Sequence, residues 1–397
     1  MRSRVLITGL LIFSSGALLS QEIFTSYWDK EQTRVRETYT YKLMQGDTIR
    51  DGTYHIYYKD GIPWQQGDYA DGVMTGTWYD NYPDGNRRQV LSYESGLLNG
   101  LLLYYFPDGV LYQKSNYQND LLDGTVEIYH PNGTLNERAT YRLGSRNGEV
   151  EAWFDNGIRR FTKGYRNGVE QGSQLIFYEN GKIREESFKE NGVYHGEFRG
   201  YYKEYEDGAL QKICRYEMGL LQGRYLGFYP SGNPMVLCNY FNDTLEGEWI
   251  RYFDLLAPDS IPAIKEKGLY EMGSKRGVWE SFYPDGGLYT SGVYKNEKFD
   301  GEWTIYHPNG NLKQKGSYNE GKANGEFSMY YDSGKLKNRG LYLNDQKTGL
   351  WTTYYETGEV MTLIPFVKGL RQGEAKGFDK DGREVENIIY NHDETGQ

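Results

Sequence analysis

The sequence predicts an all-β fold: tandem 24-residue β-hairpins set side by side in an elongated, twisted antiparallel sheet. Three observations carry that prediction. A ten-residue phrase recurs, as GTVEIYHPNG at 124–133, GVWESFYPDG at 277–286 and GEWTIYHPNG at 301–310. The glycine that opens it returns at 52, 76, 100, 124, 148, 172, 196, 223, 247, 277, 301, 325, 349 and 373, and eleven of the thirteen intervals are 24 residues. Composition is the third: 50 Gly, 39 Tyr and 8 Trp stand beside only 38% hydrophobic residues, so rings must supply most of the buried area. A fixed period of this size marks stacked units, none of which can bury its apolar face alone.

Each unit reads as a hairpin. The residues before the first turn are rich in Tyr, Trp and Phe, as strands prefer. A second glycine follows nine residues after the first, as at Gly85, Gly133 and Gly310, with Asp or Asn before it and often Pro one step earlier, as at Pro83, Pro131 and Pro308. Proline presets a type I turn and the glycine takes the left-handed position that closes it. In the second arm Leu111, Ser115 and Tyr117 share one parity, as do Leu135, Ala139 and Tyr141, and Leu312, Gly316 and Tyr318. That alternation predicts one packed and one wet face. A Tyr-x-x-Gly turn, as in YESGLLNG (93–100), leads to the next unit. Two strands per repeat at ~4.8 Å each give a ribbon on the order of 130 Å.

The expected organisation is a signal peptide (1–20), an N-terminal cap (21–51), repeats over 52–246, a repeat at 247–276 with an inserted loop at 253–267, repeats over 277–385 and a frayed tail at 386–397. The leader rests on Arg2 and Arg4, the apolar run Val5–Phe13 and small residues up to Ser20. Its apolar run is too short for a confident span, and nothing later reaches the roughly 18 apolar residues a spanning helix needs. The chain is therefore expected to be exported, periplasmic or extracellular. Its net charge of −10 disfavours DNA, RNA and anionic lipid as partners.

The pattern Tyr-x-x-Gly-x-x-x-Gly-x-Trp-x-x-Tyr, clearest in YEMGSKRGVWESFYPDG (270–286) and YKNEKFDGEWTIYHPNG (294–310), resembles the MORN repeat in its bacterial variant. The resemblance covers roughly residues 40–385. It implies a scaffolding or binding array; some bacterial variants carry an antitoxin label, a cytosolic role that the leader argues against. Departures from the pattern are Asp120, Asp243, Glu297 and Asp345 in place of the connecting glycine, three extra residues in the unit opened by Gly196, and the loop FDLLAPDSIPAIKEK (253–267).

Candidate chemistry is sparse. Cys214 and Cys238 occupy equivalent slots that elsewhere hold Gly, Ser or Ala, so they read as small buried residues rather than a disulfide. His130 and His307 stand where other repeats have Tyr or Phe and read as ring-for-ring replacements. DKDG (379–382) lacks the spacing of a calcium loop and reads as a turn. No Walker loop, G-x-S-x-G, H-E-x-x-H or C-x-x-C is present. No enzyme activity and no cofactor or metal is expected. The aromatic series two residues after the opening glycine reads first as the core of a thin sheet; as a binding ladder it nominates Trp78, Trp249, Trp279, Trp303 and Trp351. The loop adds Asp254, Asp259 and Lys265, because departures from a repeat are where function is added. The expected role is a non-enzymatic scaffold for a protein partner or for envelope components, with glycan binding as the alternative.

Overall fold

A computed structural model describes residues 21–204, 208–255 and 262–395. The predicted leader, Asp259 of the inserted loop and the last two residues of the tail, Gly396 and Gln397, lie outside the described residues. Every described regular element is a β-strand, and successive strands pair antiparallel. The chain divides into two compact units, Met1–Val193 and Tyr194–Gln397.

In the first unit the repeat is clearest at Leu121–Tyr129 and Leu135–Arg142. The turn between them is closed by His130 N–H to the Thr134 carbonyl (2.8 Å) and by Gly133 N–H to the His130 carbonyl (2.9 Å). Gly133 has φ +83°, the left-handed position that only glycine takes freely. Asn132 Oδ1 accepts from Thr134 N–H at 3.0 Å, which is why Asp or Asn precedes that glycine. The return to the next repeat is a two-residue turn, Leu143–Gly144, with φ +48° and +80°, the type I′ geometry that matches strand twist.

Two irregularities recur in each repeat. The opening glycine sits in a bulge: the register steps between Leu122↔Tyr117 and Val126↔Ser115, with Gly124 between them at φ +103°. A second bulge follows the hairpin turn, where Ile128 pairs with Glu137 but Tyr129 pairs with Leu135, leaving Asn136 extra. This second bulge corrects the predicted parity. Leu111, Leu135 and Leu312 pair with Tyr105, Tyr129 and Tyr306, on the face opposite Ser115, Ala139 and Gly316.

Residues 22–51 fold on the same plan. Glu22–Tyr27 pairs with Val35–Met44, which pairs in turn with Asp47–Tyr57. In the second unit the insertion after Phe253 is closed by Phe253 N–H to the Ala263 carbonyl (2.9 Å), so residues 264–267 belong to a strand, Ile264–Glu271, and not to the loop. The tail also departs from expectation: Glu384–Asn391 pairs with Gly373–Phe378 in the register of the other repeats, so the chain is in the sheet past Asn387.

The connecting turns show why glycine can be replaced there. Asp120, Asp243 and Asp345 hold φ +64°, +63° and +67°. Each carboxylate accepts from a backbone N–H of the preceding repeat, at Leu98 (2.7 Å), Leu221 (2.6 Å) and Ala323 (2.7 Å). Glu297 does the same for Lys275. A charge-assisted bond to an otherwise open amide offsets the strain of a left-handed non-glycine residue.

Candidate binding surface

The two faces of the sheet have different chemistry. On one face, a single row of cross-strand neighbours carries most of the buried side chains. In the first unit it runs through Trp78↔Leu91, Leu102↔Ser115, Ser115↔Val126, Val126↔Ala139 and Ala139↔Val150. In the second it runs through Cys238↔Trp249, Trp249↔Gly268, Trp279↔Gly292, Gly292↔Trp303, Trp303↔Gly316 and Phe327↔Gly340.

Size alternates along this row. A methyl group added at Gly67, Gly268, Gly292, Gly316 or Gly340 would overlap the ring of Trp78, Trp279, Trp303, Phe327 or Trp351. Where the small slot is Ser115 or Ala139, the following residue is Val126 or Val150 instead of a ring. The core is one residue wide, so its packing density is set pair by pair. Tyrosines flank it edge-on, as Tyr270–Trp279 at 5.3 Å and 88° and Tyr342–Trp351 at 5.1 Å and 85°. Burial pushes the phenols of Tyr54 and Tyr216 up to about 12.

The predicted tryptophans all stand in this core row. Trp78, Trp279 and Trp351 are buried, and Trp249 and Trp303 are half-buried. The indole N–H groups of Trp78, Trp279, Trp303 and Trp351 donate to the carbonyls of Asp68, Leu269, Val293 and Leu341 at 3.1–3.2 Å. A ring on a glycine with its one donor spent has little left to offer a ligand. Cys214 and Cys238 are free and buried in the small slots, on either side of Tyr225.

The predicted loop residues also serve the scaffold. Asp254 Oδ1 accepts from Ser231 Oγ (2.6 Å) and Asn233 Nδ2 (3.0 Å), tying one turn to the next. Lys265 is in a strand, with its ammonium 5.5 Å from the centre of the Phe253 ring.

Turn ends are joined by a second ladder. The Tyr82, Tyr229, Tyr283 and Tyr331 hydroxyls donate to the Tyr105, Tyr252, Tyr306 and Tyr354 carbonyls at 2.8–2.9 Å. His130 Nε2 and His307 Nε2 donate at 3.1 Å to the equivalent carbonyls of Trp153 and Tyr330. The histidines are thus ring-for-ring replacements. In DKDG, Asp379 Oδ1 accepts from the N–H groups of Asp381 and Arg383, both at 2.9 Å, as in a turn. Among the described residues no cluster of three or more His, Cys, Asp or Glu could hold a metal ion.

The opposite face presents a stripe that sequence reasoning missed. Five residues after the opening glycine stand Tyr105, Tyr129, Trp153 and Phe177 in the first unit, and Phe282, Tyr306, Tyr330 and Tyr354 in the second, all half-buried. The signal lies in the adjacent rings of phrases such as SFYPDG: neighbours in a strand point to opposite faces. Beside the stripe runs a charge ladder, with Arg138 3.0 Å from Glu127 and 3.8 Å from Glu151, Arg159 2.8 Å from Glu151, and Lys267 3.0 Å from Glu280. Arg138 and Lys267 also sit 5.8 and 5.4 Å from the ring centres of Trp153 and Phe282.

Tandem hairpins with a one-row core define a β-hairpin repeat protein. The pattern of the MORN repeat variant matches residues 98–119, 122–142, 170–191, 221–242, 275–296, 299–320, 323–344 and 347–368. The chain is a MORN repeat protein. No curated protein matches it. A crystal structure of TcdB2-TccC3 without its hypervariable C-terminal region is 10% identical over 97% of this chain and 27% of that one, with a TM-score of 0.16. The TcdB2-TccC3-Cdc42 structure is 10% identical over 93% and 27%, with a TM-score of 0.13. This chain spans 27% of the length of those chains.

Proposed function

We propose that the chain is an exported, non-enzymatic scaffold that binds a protein partner, or assembles envelope components, through the half-buried aromatic stripe. The observation that carries this reading is the division of labour between the faces. One face consumes its rings in the core, whereas the other repeats a ring in most hairpins, with alternating charges beside it around Arg138 and Lys267. Aromatic and charged groups side by side suit protein recognition. The basic, apolar start of the sequence supports export, and the charge of −10 supports a partner that is not a polyanion. Capture from envelope extracts tests the reading. Replacing Tyr306, Tyr330 and Tyr354 together by Ser should abolish capture of a partner while leaving the thermal midpoint of the sheet close to that of the native chain. Equal capture by both proteins, or none above background by the native chain, would refute it.

A second reading, glycan binding, is favoured by one ring: Trp153 lies in the stripe with a half-buried indole. Titration with cell-wall polysaccharides should then quench tryptophan fluorescence, and Trp153→Phe should remove the quenching. No response to any polymer excludes it.

A further inference from the structure

The first described hairpin has a longer turn than the common repeat. Its turn is closed by Trp28 N–H to the Arg34 carbonyl (2.8 Å), spanning two residues more than the turn from His130 to Thr134. The longer turn is braced internally: Asp29 accepts from Thr33 N–H and Thr33 Oγ1, both at 2.8 Å. Between this turn and that of the next hairpin lies a cleft of about 740 Å³, lined by residues that include Thr33, Arg34, Val35, Tyr57, Lys59 and Asp60.

The cleft's charges are unequal in availability. Asp60 Oδ1 accepts from Ile62 N–H (3.2 Å), and both oxygens of Asp29 are occupied by Thr33, with the Arg34 backbone N–H also turned to that carboxylate and the Arg34 guanidinium acting on it as a charge nearby. No ion pair is formed by Arg34 or Lys59 among the described residues; Lys59 lies 5.6 Å from the centre of the Trp28 ring, which fixes its position without neutralising it. Two cations with no carboxylate in direct contact therefore border a cavity with Val35 and Tyr57 as apolar walls, in a chain whose net charge is −10.

We infer that this cleft binds a short acidic peptide segment, a carboxylate lying between Arg34 and Lys59 with its apolar neighbours against Val35 and Tyr57. A guanidinium takes a carboxylate through two parallel N–H bonds, and an ammonium adds a point charge. A peptide fits better than a polyanion, because a peptide concentrates its charge at the cleft. A polyanion would extend it over the acidic remainder of the chain. The inference is independent of the aromatic stripe and goes beyond the scaffold reading.

The probe is a short fluorescein-labelled peptide of alternating Glu and Tyr, titrated into the full chain and followed by anisotropy. Saturable binding is expected, weakened at least about tenfold by exchanging Glu for Gln in the peptide or by the double variant Arg34→Gln, Lys59→Gln. The double variant should keep the native thermal midpoint, since neither side chain supports the sheet. Tyr306→Ser should leave the affinity unchanged, which separates this site from the stripe. The inference is overturned if the acidic peptide does not bind, if the Gln peptide binds equally, if the double variant binds as the native chain does, or if an oligouronate binds more tightly than the peptide.

Discussion

The indole of Trp279 fills the space that any side chain on Gly268 would need, and its N–H donates to the Leu269 carbonyl at 3.2 Å. The relation ties two residues from adjacent strands into one packing unit, and the same unit recurs at Gly67–Trp78, Gly292–Trp303 and Gly340–Trp351. It gives the repeat a size rule: a slot without a side chain takes a large ring, whereas the filled slots Ser115 and Ala139 take valine.

Acid should weaken the first unit at a specific carboxylate. Burial alone would push the Glu170 carboxyl up, but the ammonium groups of Lys163 and Lys189, at 2.7 and 2.5 Å, outweigh it and hold the carboxyl at about 2. A folded-state value below the unfolded one contributes stability that is present above about pH 4.3 and is lost as pH falls toward 2. Urea unfolding at pH 6 and pH 3 should show a larger loss of midpoint for the native chain than for Glu170→Gln; equal losses would show that the cluster contributes nothing.

The connecting turns separate strain from bonding. Asp345→Ala loses the bond to Ala323 N–H and keeps a left-handed φ of +67°, whereas Asp345→Gly loses the bond but takes that φ freely. The Ala variant should be less stable than the Gly variant by about 1 kcal/mol, read from the midpoints of urea unfolding. A Gly variant no more stable than Ala would remove φ from the explanation.

Thiol chemistry should be slow. Burial pushes the Cys214 thiol up and that of Cys238 to about 11, and both are enclosed in the core row. Iodoacetamide at neutral pH should modify neither in the native chain and both after denaturation in urea. Rapid native labelling would place the row in solvent.

The turn ladder predicts graded costs at one site. His130→Tyr should be close to neutral, because other repeats place a Tyr hydroxyl at the same carbonyl, while His130→Phe leaves the Trp153 carbonyl without its donor and should cost about 1 kcal/mol. Thermal unfolding of the two variants gives the comparison.

Much of this architecture is legible in the sequence because each repeat states it again. Period, hairpin, turn residues and the small slot of Cys214 and Cys238 all follow from side chains with strong local preferences. The face of Leu111, Leu135 and Leu312 is not legible, because the bulge that reverses it is set by cross-strand register. The place of Asp254 between Ser231 and Asn233 likewise depends on a neighbouring hairpin. The stripe through Trp153 and Tyr306 is hidden by adjacent rings that sequence alone does not assign to a face. The continuation of the strand Glu384–Asn391 is not legible either, since its Val385 and Ile389 side chains are exposed and hydrogen bonding to Gly373–Phe378 holds it rather than burial.

The size rule is tested most directly by a double-mutant cycle at Gly268 and Trp279. Gly268→Ser alone should overfill the slot and Trp279→Val alone should empty it, each costing on the order of 2 kcal/mol. Together they reproduce the pairing of Ser115 with Val126 found elsewhere in the row. The double variant should therefore recover at least about 1 kcal/mol relative to the sum of the single changes. Strictly additive losses would contradict a core built pair by pair.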